Sequence, residues 1–285
     1  MMIALIAGLA TGAIYALIAI GYNITLTSSG VLNFAFANTL VFGGFVALTA
    51  TAAGLPLPLT LLISAVVCAV VSALVERGAI RFMPAGSHAE LITTLGAATV
   101  LTALTAIIWG SDPQRLVLFE QQPFELLGFR VSPIDLILIA LPIVFGVAMH
   151  LLLNHTRFGL NSRAQAFDRE ATTLRGVNVR WLSLSAFAIA GIFAGLVGPL
   201  VLVSTSASPY LALSLALKGF VVLALGGLGS QVGAIIAGFI IGLIESMVAL
   251  FVGPFFGDYA VFIVFVLVLL FRSRGLFGNK NLRLV

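Results

Sequence analysis

Charge is what this sequence has least of. Only 8% of its 285 residues are Asp, Glu, Lys or Arg, while 61% are hydrophobic. An ordinary soluble domain is roughly a quarter charged. A chain this poor in polar groups cannot clothe its own surface for water, so its outside must face lipid. Cysteine is scarce too. The one copy, Cys68, lies within an apolar run, which excludes a disulfide framework and a cysteine metal site. Lysine occurs only as Lys218 and Lys280, and neither is followed by Ser or Thr, so no P-loop can cradle a nucleotide phosphate. His88, His150 and His155 lack the His-Glu-x-x-His spacing, and no Gly-x-Ser-x-Gly elbow offers a nucleophile. The sequence therefore gives no reason to expect an enzyme, a resident metal or a cofactor in this chain. Uphill work would have to draw on another subunit or an ion gradient.

What the sequence does contain is long apolar runs. A hydrocarbon core about 30 Å thick takes roughly 20 apolar residues per helix. Runs at 2–27, 33–53, 57–76, 91–109, 133–153, 181–204, 211–227, 231–252 and 257–271 fit that length or fall a little short of it. The seventh and ninth are the short ones, which suggests tilted, broken or re-entrant segments. The expected fold is all-α: one polytopic membrane bundle over residues 1–285, with about nine (eight to nine) spans. Residues 1–20 carry no Lys or Arg, so they read as the first span and not as a cleaved signal.

Two hydrophilic segments interrupt the runs. Residues 110–132 carry Asp112, Arg115, Glu120, Glu125 and Arg130, whereas 154–180 carries five arginines against Asp168 and Glu170. If nine spans alternate, all of the 14 Lys and Arg except Arg115, Arg130 and Lys218 fall on the side of 154–180 and the C-terminus. Lys and Arg concentrate in cytoplasmic loops. The segment 154–180 and the C-terminus are therefore expected in the cytoplasm, and the N-terminus outside. The net charge of +4 reads as this asymmetry and not as an affinity for nucleic acid. Glycines four apart recur as Gly8/Gly12, Gly191/Gly195, Gly229/Gly233 and Gly238/Gly242. In lipid such small residues let helix backbones approach closely, as intramembrane packing or as a moving interface.

Within 154–180, Ser162-x-x-Gln165 has the form of a capping box opening a short helix. Ala164, Phe167, Ala171 and Leu174 follow at steps of three, four and three, one apolar stripe, and Gly176 suits the stop. The other face holds Arg163, Asp168, Arg169, Glu170 and Arg175. A helix of this kind lies at lipid headgroups or seats in a partner's groove.

The run Thr156-Arg157-Phe158-Gly159, Arg163-Ala164, Asp168-Arg169-Glu170-Ala171 and Leu174-Arg175-Gly176-Val177-Asn178-Val179 resembles the coupling loop of a permease family. That family comprises the membrane subunits of ABC importers for branched-chain amino acids, with related urea and amide importers. Leu217-Lys218-Gly219-Phe220, Leu225-Gly226-Gly227-Leu228-Gly229-Ser230, Gly233-Ala234 and Gly242-Leu243-Ile244-Glu245 continue the likeness. So do Gly12-Ala13-Ile14-Tyr15-Ala16-Leu17, Gly21-Tyr22 and Asn33-Phe34-Ala35. The resemblance implies a permease forming half of a translocation path for branched-chain or related amino acids in the cell inner membrane. It implies as partners a second homologous permease, two ATP-binding subunits that hydrolyse ATP, and an extracytoplasmic solute-binding protein. The cytoplasmic helix would be the coupling element, involving Arg157, Arg163, Asp168, Glu170, Ala171 and Gly176. This sequence departs from the family pattern where Phe36-Ala37-Asn38 replaces His-Gly-Glu. It departs again at Leu160 and Phe167, where more polar residues are usual. The first departure bears on the solute and the second on the choice of ATPase.

Lys218 and Glu245 fall inside the seventh and eighth runs, where an uncompensated charge costs several kcal/mol. Each lies six or seven residues from the outer end, about 10 Å deep at 1.5 Å per residue. Antiparallel neighbours would bring them together as an ion pair that lines or gates the path, or as a purely structural pair. The third reading leaves them apart, with Lys218 snorkelling outward. Tyr15, Asn33 and Asn38 are further candidates for contact with solute, interhelical hydrogen bonds being the alternative. Phe34 and Phe36 would suit an apolar path, and Asp135 and Asp258 are expected to face water. A competing function is a stand-alone secondary transporter or channel. It would need a relay of acidic or histidine groups at membrane depth, of which only Glu245 is well placed.

Overall fold

The computed structural model describes residues 1–82, 89–119, 123–126, 129–271 and 275–277. His88, Glu120 and the tail residues Arg272, Arg274, Lys280 and Arg283 lie outside the described residues. Among the described residues eleven α-helices follow in chain order. The first six are α1 (Met2–Ser29), α2 (Phe36–Ala52), α3 (Leu57–Val75), α4 (Ala89–Trp109), α5 (Pro133–His155) and α6 (Arg157–Phe167). Then come α7 (Arg169–Leu174), α8 (Val179–Ser204), α9 (Leu211–Gly226), α10 (Gln231–Phe251) and α11 (Pro254–Phe271). A π-helical turn, Glu76–Ile80, extends α3. Strands β1 (Phe124–Leu126) and β2 (Phe129–Val131) form a small antiparallel hairpin before α5, pairing Phe124 with Val131 and Leu126 with Phe129.

Among the described residues seven helices are long and apolar enough to cross a membrane: α1, α3 with its π turn, α4, α5, α8, α10 and α11. Helices α2 and α9 are apolar but shorter. At 1.5 Å per residue, their 17 and 16 residues reach about 25 Å, short of a full hydrocarbon core. Helix α9 is short as expected. Helix α11 is not, because Pro254 starts it three residues before the apolar run. The reverse happens in α2, whose run begins at residue 33 but whose helix begins at Phe36. The Asn33 side-chain oxygen accepts from the Ala35 amide at 3.1 Å, a turn that holds the first residues out of the helix.

The chain divides into two compact units. One comprises residues 1–20, 120–148 and 217–282. Here Gly8 and Gly12 of α1 lie against Gly242 and Gly238 of α10. A Cβ at Gly12 or Gly242 would overlap the opposing backbone, so two of the glycine pairs noted in the sequence face each other. The Ser246 hydroxyl donates to the Ala4 carbonyl at 2.6 Å. Helices α10 and α11 form a tight hairpin, with Gly257 against the Glu245 side chain.

The other unit holds residues 21–119 and 149–216. Its centre is α8, against which α2 and α3 pack. Added Cβ atoms at Gly191 and Gly195 would strike the α3 backbone at Cys68 and Ser64, and one at Gly198 would strike the Leu40 carbonyl. The Ser64 hydroxyl bonds the Gly43 carbonyl at 2.7 Å, tying α3 to α2. Small residues thus do the packing that the hydrophobic effect cannot do in lipid. Phe36 is fully buried and stacks on Phe193 with 5.8 Å between ring centroids. It belongs to the core of this unit.

Candidate functional sites: a buried ion cluster and an arginine-studded elbow

Lys218 sits in the middle of α9 with its side chain 9% exposed. An ammonium carries three donors, and here each meets an oxygen. Nζ donates to Tyr15 Oη at 3.1 Å, to Glu245 Oε1 at 2.8 Å and to Asp258 Oδ1 at 2.5 Å. Nζ also lies 5.3 Å from the centroid of the Tyr15 ring, close enough for a cation–π attraction. The cluster joins α1, α9, α10 and α11 within one unit. It has two carboxylates for one ammonium, and the more open of the two is Asp258, whose side chain is 63% exposed. Glu245 is 16% exposed, and its Oε2 is buried with no hydrogen-bond partner.

The structure therefore brings together Tyr15, Lys218 and Glu245, and adds Asp258. Asp258, expected only to face water, is largely exposed and also binds the lysine. The signal for this was present in the sequence. Glu245 lies seven residues before Val252 and Asp258 five after Gly253, so antiparallel arms bring both within reach of one side chain.

Asn33 and Asn38 belong to the other unit. Asn38 is buried, and its Nδ2 donates to the Ala98 carbonyl at 3.0 Å and to Thr102 Oγ1 at 2.6 Å. Its amide thus fastens α2 to α4. Asn33 is also buried; its oxygen makes the turn into α2, while its Nδ2 has no partner.

The arginine-rich segment is two helices, α6 and α7, where the sequence suggested one. The Thr156 hydroxyl caps α6 by accepting from the Gly159 amide at 3.1 Å. The Asp168 carboxylate caps α7 by accepting from the Ala171 amide at 2.9 Å. Ser162 is not the cap. It lies buried within α6, and the break falls instead at Asp168, in extended conformation at φ −152° and ψ 106°. An Asp whose carboxylate bonds an amide three residues on favours a fresh N-terminus over continued helix.

Gly176 ends α7 at φ +83°. Its amide donates to the Thr173 carbonyl, and the Val177 amide to that of Thr172. This is a Schellman closure, whose left-handed residue favours glycine.

Arg157, Arg163, Asp168, Glu170, Ala171 and Gly176 are all exposed. Arg163 donates to the Asn154 side-chain oxygen at 3.0 Å. The apolar Leu160 and Leu174 are 64% and 89% exposed, and Ala164 and Ala171 lie open beside them. The side chains of Phe167 and Arg169 lie outside the described ones. Ser162, Gln165 and Thr172 form the buried side of the elbow. The exposed side of the elbow thus carries both apolar and charged side chains.

Residues 4–271 match the protein family described as "Branched-chain amino acid transport system / permease component". The chain is 27% identical to the high-affinity branched-chain amino acid transport system permease protein BraD of Pseudomonas aeruginosa, over 99% of this chain and 97% of that protein. It is 27% identical to the LivH permease of Escherichia coli K12, over 98% and 96%. It is likewise 27% identical to the probable LivH of Methanocaldococcus jannaschii, over 85% and 79%. A match spanning nearly the whole bundle, from the head of α1 to the end of α11, places this chain in the family of branched-chain amino acid transport system permeases.

Proposed function

We propose that this chain is the permease subunit of an ABC importer, forming half of the path for a branched-chain or related amino acid and hydrolysing nothing itself. The observation that carries the reading is the elbow α6–α7. It is capped at both helix starts and closed by Gly176, and it exposes Leu160, Ala164, Ala171 and Leu174 together with Arg157, Arg163 and Glu170. Such a surface suits the groove of an ATP-binding subunit. The apolar patch would dock, the charges would set register, and push or pull would pass into α5 and α8.

In this reading α2 and α9 join the seven longer helices as spans, giving nine, with the N-terminus outside and the elbow and C-terminus in the cytoplasm of the cell that bears it in its inner membrane. The partners are a homologous second permease, two ATP-binding subunits and an extracytoplasmic solute-binding protein. Tyr15, Asn33, Asn38, Lys218 and Glu245 are the polar groups assigned to the path, and the lysine cluster would be a latch upon it.

The test is uptake in proteoliposomes carrying the permeases, the ATP-binding subunits and the binding protein. Gly176→Asp and Glu170→Arg are each expected to abolish ATP-dependent uptake while membrane insertion is retained. Normal uptake by both variants refutes the coupling role. Ion-driven uptake by this chain alone, without ATP-binding subunits, would favour a stand-alone transporter or channel.

A further inference from the structure

The last helix is fastened to α9 at three levels within one unit. Near the start of α11, Asp258 holds Lys218. Midway, the rings of Phe220 and Phe265 meet edge to face with centroids 6.1 Å apart. Beyond the end of α11, residues 275–277 turn onto the last turn of α9. The Leu276 amide donates to the Leu225 carbonyl at 2.7 Å, and the Phe277 amide to the Gly226 carbonyl at 3.1 Å. The final carbonyls of a helix have no partners within it, so these bonds cap α9 from a distant part of the chain.

Gly275 makes the approach possible. It stands at φ +72°, and a Cβ there would press on the Ala224 carbonyl and on Gly227. Only glycine meets both demands at little cost.

We propose that residues 275–277 are a clasp that keeps α11 laid along α9, and that this clasp at one end of the helix holds Asp258 on Lys218 at the other. Asp258 near the start of α11 and residues 275–277 beyond its end both attach to α9, so the two attachments share one load. Opening the clasp leaves α11 held by its hairpin with α10 and loosens its attachment to α9, and with it the grip of Asp258 on the ammonium. The clasp is then a conformational device, since whatever engages the chain end also sets whether Lys218 is shielded. This inference stands whether or not the importer reading is right.

The sequence supplies its own reporter. With Lys280→Arg, Lys218 is the one lysine left, and in the closed cluster all its donors are taken. Membranes bearing that variant are treated with a small amine-acetylating reagent, and the Lys218 peptide is followed by mass spectrometry. Gly275→Val and Phe277→Pro, which crowd the clasp or delete one of its donors, are each expected to raise the acetylation rate at least five-fold. Asp258→Asn marks the open limit. Gly54→Val is the control, because Gly54 has a similar φ of +76° but nothing within 4 Å; it should leave the rate unchanged.

An unchanged rate in both clasp variants overturns the proposal. So does an equal rise in Gly54→Val, since that would be general loosening. If Gly275→Val fails to accumulate, Phe277→Pro carries the same decision.

Discussion

Glu245 and Asp258 grip one ammonium, Lys218 Nζ, from the two arms of a single helical hairpin, at 2.8 and 2.5 Å. Two acids on one base would repel each other strongly in an apolar setting if the base were removed. Lys218→Met should therefore cost on the order of 3–5 kcal/mol, the usual penalty for stranding a buried charge, and less to the extent that water reaches Asp258. The combined variant Lys218→Met/Glu245→Leu/Asp258→Asn should recover much of that loss. Thermal unfolding in lipid nanodiscs decides it, and a Lys218→Met protein as stable as the parent would show that the cluster does not hold the helices.

The α1–α10 crossing makes a separate demand. Gly12→Leu must push α1 off Gly238, an overpacking cost of about 1–3 kcal/mol, and should lower the yield of folded protein. Gly96→Leu on α4, where nothing stands within 4 Å of an added Cβ, should be close to neutral. Equal yields of the two variants would mean that the crossing is looser than described.

At the elbow, Asp168→Ala removes the α7 cap and should cost about 1 kcal/mol. Amide exchange should quicken over Ala171 to Leu174 and stay unchanged over α6, which Thr156 caps independently. Exchange quickening along both helices would show one cooperative element where two are described.

Asn38→Leu tests whether that residue is a fastener or part of the path. Removing its bonds to Ala98 and Thr102 should cost about 0.6–2 kcal/mol, the range for interhelical hydrogen bonds in membranes. A fastener leaves the order of preference among competing solutes intact. A changed order with unchanged stability would assign Asn38 to the path.

The long elements were legible because lipid imposes a simple rule, about 20 apolar residues per crossing, and the runs obey it to within a few residues. The pairing of Gly8 and Gly12 with Gly238 and Gly242 was half legible: the sequence showed small residues four apart but not which strips would meet. For Lys218 and Glu245, depth called for compensation of each charge but left pairing as one of three readings, and the structure selects it. Asp258 was overlooked because its place near a helix end gave a sufficient reason for its charge, and only the hairpin register exposes the second reason. The elbow was misread where local chemistry competes. Ser162-x-x-Gln165 and Asp168-x-x-Ala171 both offer a capping oxygen, and burial of Ser162 in the fold settles the contest for Asp168. Residues 275–277 carried no sequence signal at all, because backbone amides donate whatever side chain they bear.

The junction of α5 and α6 has a consequence for how force would travel. Thr156 alone separates the two helices, and Gly159 is wedged so closely under Leu153 that an added methyl would overlap that residue's backbone. So short and close a junction leaves little room for a bending linker, and in the proposed reading a displacement of the elbow would pass to α5. The joint would then act as a crank, and lengthening it by two or three residues should leave both helices intact while disconnecting what one does from what the other feels.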